Sequence, residues 1–270
     1  MISSLWNNFK YTAPIDCLID KSIRVYDIRK ANISVLTELG VLTIDQYNEL
    51  YNAEKINREI FIGKLQGSNP EISKILSNGI LEAKRLFFEA NQIEDKDILE
   101  INNDAVYIIG DKPIKVQQVT PFIYFNLAEQ YSSFYSVKKI RYFYYGNIIT
   151  RQEYLVAKGI GSSSYLHERF MLDFLKELFY IAQFEGIPDA IRLLSSFYNR
   201  YVNKELDIGY YRTLNSESLL MYVNFDSYAR YATDNEYDPR MKRLIDISYN
   251  EKILREFNKL LSNKYFERNR

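Results

Sequence analysis

Ile98-Leu99-Glu100-Ile101-Asn102-Asn103-Asp104-Ala105-Val106-Tyr107-Ile108-Ile109 reads as two short apolar strands folded back at Asn103-Asp104. Asn and Asp favour turns because both tolerate left-handed backbone. The hairpin leaves one carboxylate, Asp104, at its tip. A second lone acid, Asp27, closes the apolar run Ile23-Arg24-Val25-Tyr26-Asp27-Ile28. Two strand-borne aspartates brought side by side can hold the divalent metals of nucleotidyl transfer. Plainer roles compete with that one. Asp27 can cap a helix beginning near Arg29, and Asn103-Asp104 can serve the turn alone.

Working outward, the strand at 23–28 leads into Lys30 to Leu39, whose apolar spacing predicts a helix ending at Gly40. A second helical stretch is expected over 45–62. Gly67-Ser68-Asn69-Pro70 then interrupts the chain, with Asn69 a good N-cap and Pro70 a good first helical residue. The next helix has the clearest stripe: Ile72, Ile75, Leu76, Ile80, Ala83, Leu86, Phe87 and Ala90, with Lys74, Lys84 and Arg85 mostly off it. Beyond the hairpin, 119–125, 134–145 and 148–157 read as strands, with a tight turn at Gly146-Asn147. Lys158 to Ser164 is the natural boundary. After it, amphipathic helices are expected near 166–182, 188–201 and 250–262. The fold class is therefore α+β, with an N-terminal region at 1–160 and a mostly helical region at 161–270.

The 270 residues are 47% hydrophobic and 26% charged, which suits a folded chain with a sizeable core rather than disorder. Tyr and Phe, at 24 and 16 residues, are in excess. Low Gly and Pro with abundant Ile, Asn, Lys and Tyr is the signature of an AT-rich genome, and a phage source is expected from it. The 35 basic and 35 acidic residues cancel, whereas nucleic-acid binders usually carry a basic surplus. One cysteine, Cys17, excludes an internal disulfide and is expected to be a buried apolar group. One histidine, His167, excludes a His-rich metal site. The N-terminus lacks a basic segment followed by an apolar core, and no apolar run is long enough to span a bilayer. A cytoplasmic protein without membrane association is expected.

The order of strand with Asp27, helices, long helix and hairpin with Asp104 resembles the palm of template-directed polymerases. Tyr26-Asp27-Ile28-Arg29-Lys30-Ala31-Asn32-Ile33-Ser34-Val35-Leu36 is similar to the first carboxylate motif of the family A DNA polymerases, Asp-x-Ser-x-x-Glu-Leu-Arg-Val-Leu. Asn103-Asp104-Ala105-Val106-Tyr107 is similar to their second, His-Asp-Glu-Leu-Val-Phe, and Gln66-Gly67-Ser68 stands where they have Gln-Gly-Thr. The same two acids resemble family B motifs more loosely, and that family carries a longer thumb beyond the second. The likeness covers residues 23–112. It implies a palm-like antiparallel sheet and a DNA-directed nucleotidyltransferase. Asp27 and Asp104 would then be catalytic ligands of Mg²⁺, with Arg58 and Lys64 meeting the triphosphate. The chain departs from family A at Arg29, Asn32 and Ala105, and it lacks the finger-helix Tyr-Gly pair. A degenerate form that binds nucleic acid without catalysis is the neighbouring expectation.

Lys138-Lys139-Ile140-Arg141, flanked by Tyr131, Phe134, Tyr135, Tyr142, Phe143, Tyr144 and Tyr145, mixes cations with aromatics. Such a string can track DNA or RNA through phosphate contacts and stacking. A sheet with one aromatic buried face gives the same pattern. Smaller basic groups occur at Arg240, Lys242 and Arg243 and at Lys264, Arg268 and Arg270. Gly159-x-Gly161 before Ser162-Ser163-Ser164 can cradle phosphate or simply be a flexible loop. His167-Glu168 is an acid/base pair by adjacency only, since neighbours on a helix point apart. The rival function is a non-catalytic interaction or structural subunit of a larger phage or replication assembly, consistent with zero net charge and abundant aromatics.

Overall fold

The computed structural model describes residues 4–138, 140–159, 165–167, 169–215, 243–245 and 247–268. The fold is α+β. Seven antiparallel strands, β1 (Lys10–Thr12), β2 (Cys17–Ile28), β3 (Ile98–Asn102), β4 (Ala105–Ile109), β5 (Phe125–Val137), β6 (Ile140–Asn147) and β7 (Gln152–Lys158), run in the order β1-β3-β4-β2-β5-β6-β7. A second sheet, of β8 (Tyr165–His167), β9 (Arg212–Asn215) and β10 (Arg243–Ile245), has the order β10-β9-β8. The chain divides into two units: residues 1–14 with 22–130, and 15–21 with 131–270. The long strands β2 (Cys17–Ile28) and β5 (Phe125–Val137) each contribute to both.

In the first unit, β1 (Lys10–Thr12) pairs with β3 (Ile98–Asn102), β3 with β4 (Ala105–Ile109), and β4 with β2. The hairpin at 98–109 has the expected bounds, and Asn103 takes the left-handed conformation at φ 54°. Four helices share the core of this unit: α1 (Ala31–Glu38), α2 (Ile44–Asn52), α3 (Lys55–Ser68) and α4 (Glu71–Ala90). The single helix expected over 45–62 is broken, because Ala53 and Glu54 adopt extended backbone at ψ 158° and 150°. Thr43 and Gln46 form a capping box that starts α2. Pro70 is the N-cap of α4 rather than its first residue, and Asn69 stands just before it, its Oδ1 accepting from the Glu71 amide at 3.1 Å. The buried edge of α4 packs Phe87 on Phe125, with ring centroids 4.1 Å apart and planes 19° apart. A Cβ on Gly79 would meet Val35 Cγ1 at 2.3 Å, so glycine is what lets α1 lie against α4.

In the second unit, β5 pairs with β6 (Ile140–Asn147) and β6 with β7 (Gln152–Lys158). The continuous strand expected over 134–145 is in fact two. The chain reverses at Lys138, which sits at φ 48°. Aromatic and apolar residues on both sides of that turn hid it, since neither Gly nor Pro marks the reversal. The next reversal falls at 148–151, just after the expected Gly146-Asn147 turn, where Asn147 Oδ1 accepts from the Ile149 and Thr150 amides. The segment 119–125 supplies only a bridge from Gln118 to Tyr124, not a strand.

Against this sheet pack α5 (Arg169–Phe184), α6 (Ile187–Val202) and α7 (Ile247–Arg268). Strands β8 (Tyr165–His167), β9 (Arg212–Asn215) and β10 (Arg243–Ile245) form the small sheet. Tyr135, Tyr142, Tyr144 and Phe143 are fully buried. The aromatic segment is therefore core, and its rings are not free to stack on bases. Cys17 is buried, as its neighbours implied.

Candidate active site

Asp27 lies one residue from the C-terminal end of β2, and Asp104 occupies the hairpin tip immediately before β4. Antiparallel register sets Asp27 opposite Ala105, so the two aspartates meet at the same end of neighbouring strands. The charge of Asp104 acts on Asp27. Burial first, then the negative charge of Asp104, then that of Glu129, push the Asp27 carboxyl above the usual range, while its own amide and Asn126 pull the other way. Burial also raises Asp104, partly opposed by its amide and by the charges of Lys84 and Lys55. Among the described residues, neither acid forms a salt bridge.

Both line a cleft of about 510 Å³ together with Lys30, Lys55, Arg58 and Asn103. Lys55, Arg58, Glu59 and Ile62 recur at helical spacing and present one face of α3 to it. Lys30 sits in the left-handed region before α1, its Nζ 3.5 Å from the centre of the Tyr51 ring and donating to the Tyr51 carbonyl. Burial, then repulsion from Arg58 and Arg29, lowers the Lys30 ammonium. The cleft thus gathers acids that repel one another and cations that repel one another.

Two carboxylates suit Mg²⁺, which is commonly held by one or two protein carboxylates with phosphate oxygens and water completing the octahedron. Among the described residues no group of three or more His, Cys, Asp and Glu converges on a metal position. An all-protein cage is therefore not the arrangement on offer here.

Of the expected substrate ligands, Arg58 lines the cleft, with its guanidinium also donating to the Ala53 carbonyl. Lys64 is exposed and outside the lining, six residues on and about 120° around the helix. Lys30 and Lys55 line the cleft, where the sequence had pointed to Lys64. The signal for Lys55 was its i, i+3 spacing to Arg58, masked by the unrecognised break at Ala53-Glu54. In the second unit, Lys138 occupies the β5–β6 turn and lines a separate pocket of about 250 Å³ with Asp16, Glu256 and Lys259. Arg141 is half-buried on β6, paired in register with Ser136 and Lys158. Lys139, Arg240, Lys242, Arg270 and the Gly161 to Ser164 loop lie outside the described residues.

His167 is fully buried, with Nδ1 2.8 Å from Asn250 Oδ1 and Nε2 2.8 Å from the Tyr142 hydroxyl. The Asn250 amide donates to the Tyr210 and Arg212 carbonyls, which fixes Oδ1 toward the ring. An amide oxygen only accepts, so the imidazole proton resides on Nδ1 and Nε2 accepts from Tyr142. Burial pulls His167 down to about 4. It is a neutral structural group, and Glu168 lies outside the described residues.

The model of the bacteriophage PBS1 gene 130 protein family matches residues 1–262. The chain belongs to that family. Its phage association agrees with the AT-rich composition, and the match reaches across both units. A search of curated proteins finds no match. Among the described residues, no helix is long and apolar enough to cross a membrane.

Proposed function

We propose that the cleft of the first unit is a polymerase-like nucleotidyl-transfer site, acting on a primed DNA or RNA strand. The observation that carries this is the convergence of Asp27 and Asp104 beside Lys30, Lys55 and Arg58. Carboxylates and cations sharing one cleft without a salt bridge between them, among the described residues, match the two halves of a metal–triphosphate ligand. Asp27 and Asp104 would present oxygen ligands to Mg²⁺, while Lys30, Lys55 and Arg58 would meet phosphate charge. When bound, the metal would supply Lewis-acid charge at the reacting phosphorus. The 3′-hydroxyl of the growing strand would attack the α-phosphorus of a nucleoside triphosphate. The α–β phosphoanhydride bond breaks as the phosphodiester forms, pyrophosphate leaves, and the hydroxyl proton passes to solvent. Lys138, Lys139 and Arg141 are proposed to hold the nucleic-acid backbone.

The second reading is a non-catalytic subunit that contacts other phage or replication proteins. Ile44, Ile56 and Ile60 support it, because they stand 63%, 64% and 51% exposed on α2 and α3. Primer extension separates the two. Catalysis predicts Mg²⁺-dependent extension that disappears in Asp27→Asn and Asp104→Asn. Extension unchanged by both substitutions contradicts the assignment of these acids. Salt-dependent binding of primed DNA without extension points to a degenerate site, and absence of binding leaves the interaction subunit.

A further inference from the structure

Lys84 lies outside that chemistry and is a fully buried charge in the first unit. It belongs to the buried edge of α4, with Leu76, Ile80 and Phe88 one or two turns away, and is 0% exposed. A fully buried lysine normally needs a close anion. Among the described residues Lys84 has none at salt-bridge distance. Its Nζ donates to the Asn8 carbonyl at 2.8 Å and lies 5.0 Å from the centre of the Phe9 ring. The next carbonyl along, that of Phe9, accepts from the Asn103 amide at 2.7 Å. Asn8 and Phe9 therefore bridge the ammonium to the turn that carries Asp104, and the acid and the lysine feel each other's charge.

Resting on the proposed metal reading, we infer that Lys84 is a positioning residue: a built-in counter-ion behind Asp104 that keeps the turn assembled without metal and competes electrostatically with an incoming divalent cation. Without it, a half-buried carboxylate at the hairpin tip would face Asp27 with less compensation. With it, the turn is held in place, and free metal is bound less tightly than two bare aspartates would bind it.

The competition gives a signature that a purely structural lysine does not. Lys84→Met retains the aliphatic stem and removes the charge. Near neutral pH, with full-length protein, its metal-free melting temperature should fall while its Mn²⁺ affinity by titration calorimetry rises about fivefold or more, the scale of a site-to-site coupling. Lys84→Arg, which keeps the charge, should bind Mn²⁺ as the parent does. Affinity that is equal or weaker in Lys84→Met overturns the inference while leaving the metal site standing. Absence of Mn²⁺ binding by parent and variant alike overturns the metal reading, and this inference with it. If Lys84→Met does not fold, Lys84→Met with Asp104→Asn should recover folded protein, because an uncompensated acid is the cause. Failure of that rescue also overturns it.

Discussion

Two polar clusters are set in apolar surroundings, one in each unit, and they are treated in opposite ways. In the second unit His167 has a partner on each ring nitrogen, and Asn250 turns its own amide to two further carbonyls. Each polar atom finds a mate, and the imidazole stays neutral. In the first unit Asp27 and Asp104 line one cleft without a salt bridge among the described residues, and Lys30 of the same cleft is repelled by Arg58 and Arg29. A satisfied buried network stabilises and specifies a fold. Carboxylates raised by burial, and only partly offset by Asn126 at Asp27 and by Lys84 and Lys55 at Asp104, cost stability and make the cleft a candidate for a ligand that supplies further partners. The difference separates scaffold from site without reference to any motif.

The largest effect should come from breaking the saturated cluster. Asn250→Ala strands the His167 Nδ1–H and two carbonyls in the core, and should cost about 3 kcal/mol in urea unfolding. A loss below about 1 kcal/mol would show that the network is not what fixes α7. The pH response of the same cluster is next. His167 sits near 4 in the folded state against an ordinary value of 6.5, so its contribution is fully present above 6.5. It drains away as pH falls from 6.5 toward 4, by about 3 kcal/mol in total. His167→Gln should flatten that acid limb of the stability curve.

On the other side of the comparison, Arg58→Ala should weaken triphosphate binding about tenfold, or about 1.4 kcal/mol. Lys64→Ala should leave it unchanged, and equal effects would dissolve the distinction between cleft and surface. The smallest effect has the opposite sign to the rest. Because burial and Asp104 raise Asp27 above its ordinary carboxylate value, its ionised form costs stability at neutral pH and not at pH below that value. Asp27→Asn should therefore raise the metal-free melting temperature at pH 7, with the gain fading as the solution is acidified.

The site was more legible in the sequence than its surroundings. Apolar runs closed by single acids marked Asp27 and Asp104 as strand-borne, and the Asn-Asp turn set the register of β3 with β4. The pairing of β2 with β4 spans four intervening helices and was suggested only by the palm resemblance. The cations were half legible. Arg58 was found, but Lys64 was chosen over Lys55 because one helix was expected where an extended Ala53-Glu54 link separates two. Lys84 was assigned to a polar face from its residue type, although it falls four residues from both Ile80 and Phe88 on the buried edge. Residue type outweighed position there, and position was right. The turn at Lys138 escaped because positive φ was adopted by lysine rather than glycine or asparagine. His167 gave no sequence sign of its partners, since Tyr142 and Asn250 reach it across 25 and 83 residues.

The most direct test of the site is anomalous diffraction from crystals grown with Mn²⁺. A peak bound by carboxylate oxygens of both Asp27 and Asp104, at about the 2.0–2.1 Å expected of a small divalent ion and absent from Asp104→Asn crystals, is the result predicted. Saturating Mn²⁺ that gives no peak in the cleft, or a peak that persists without Asp104, would contradict the account.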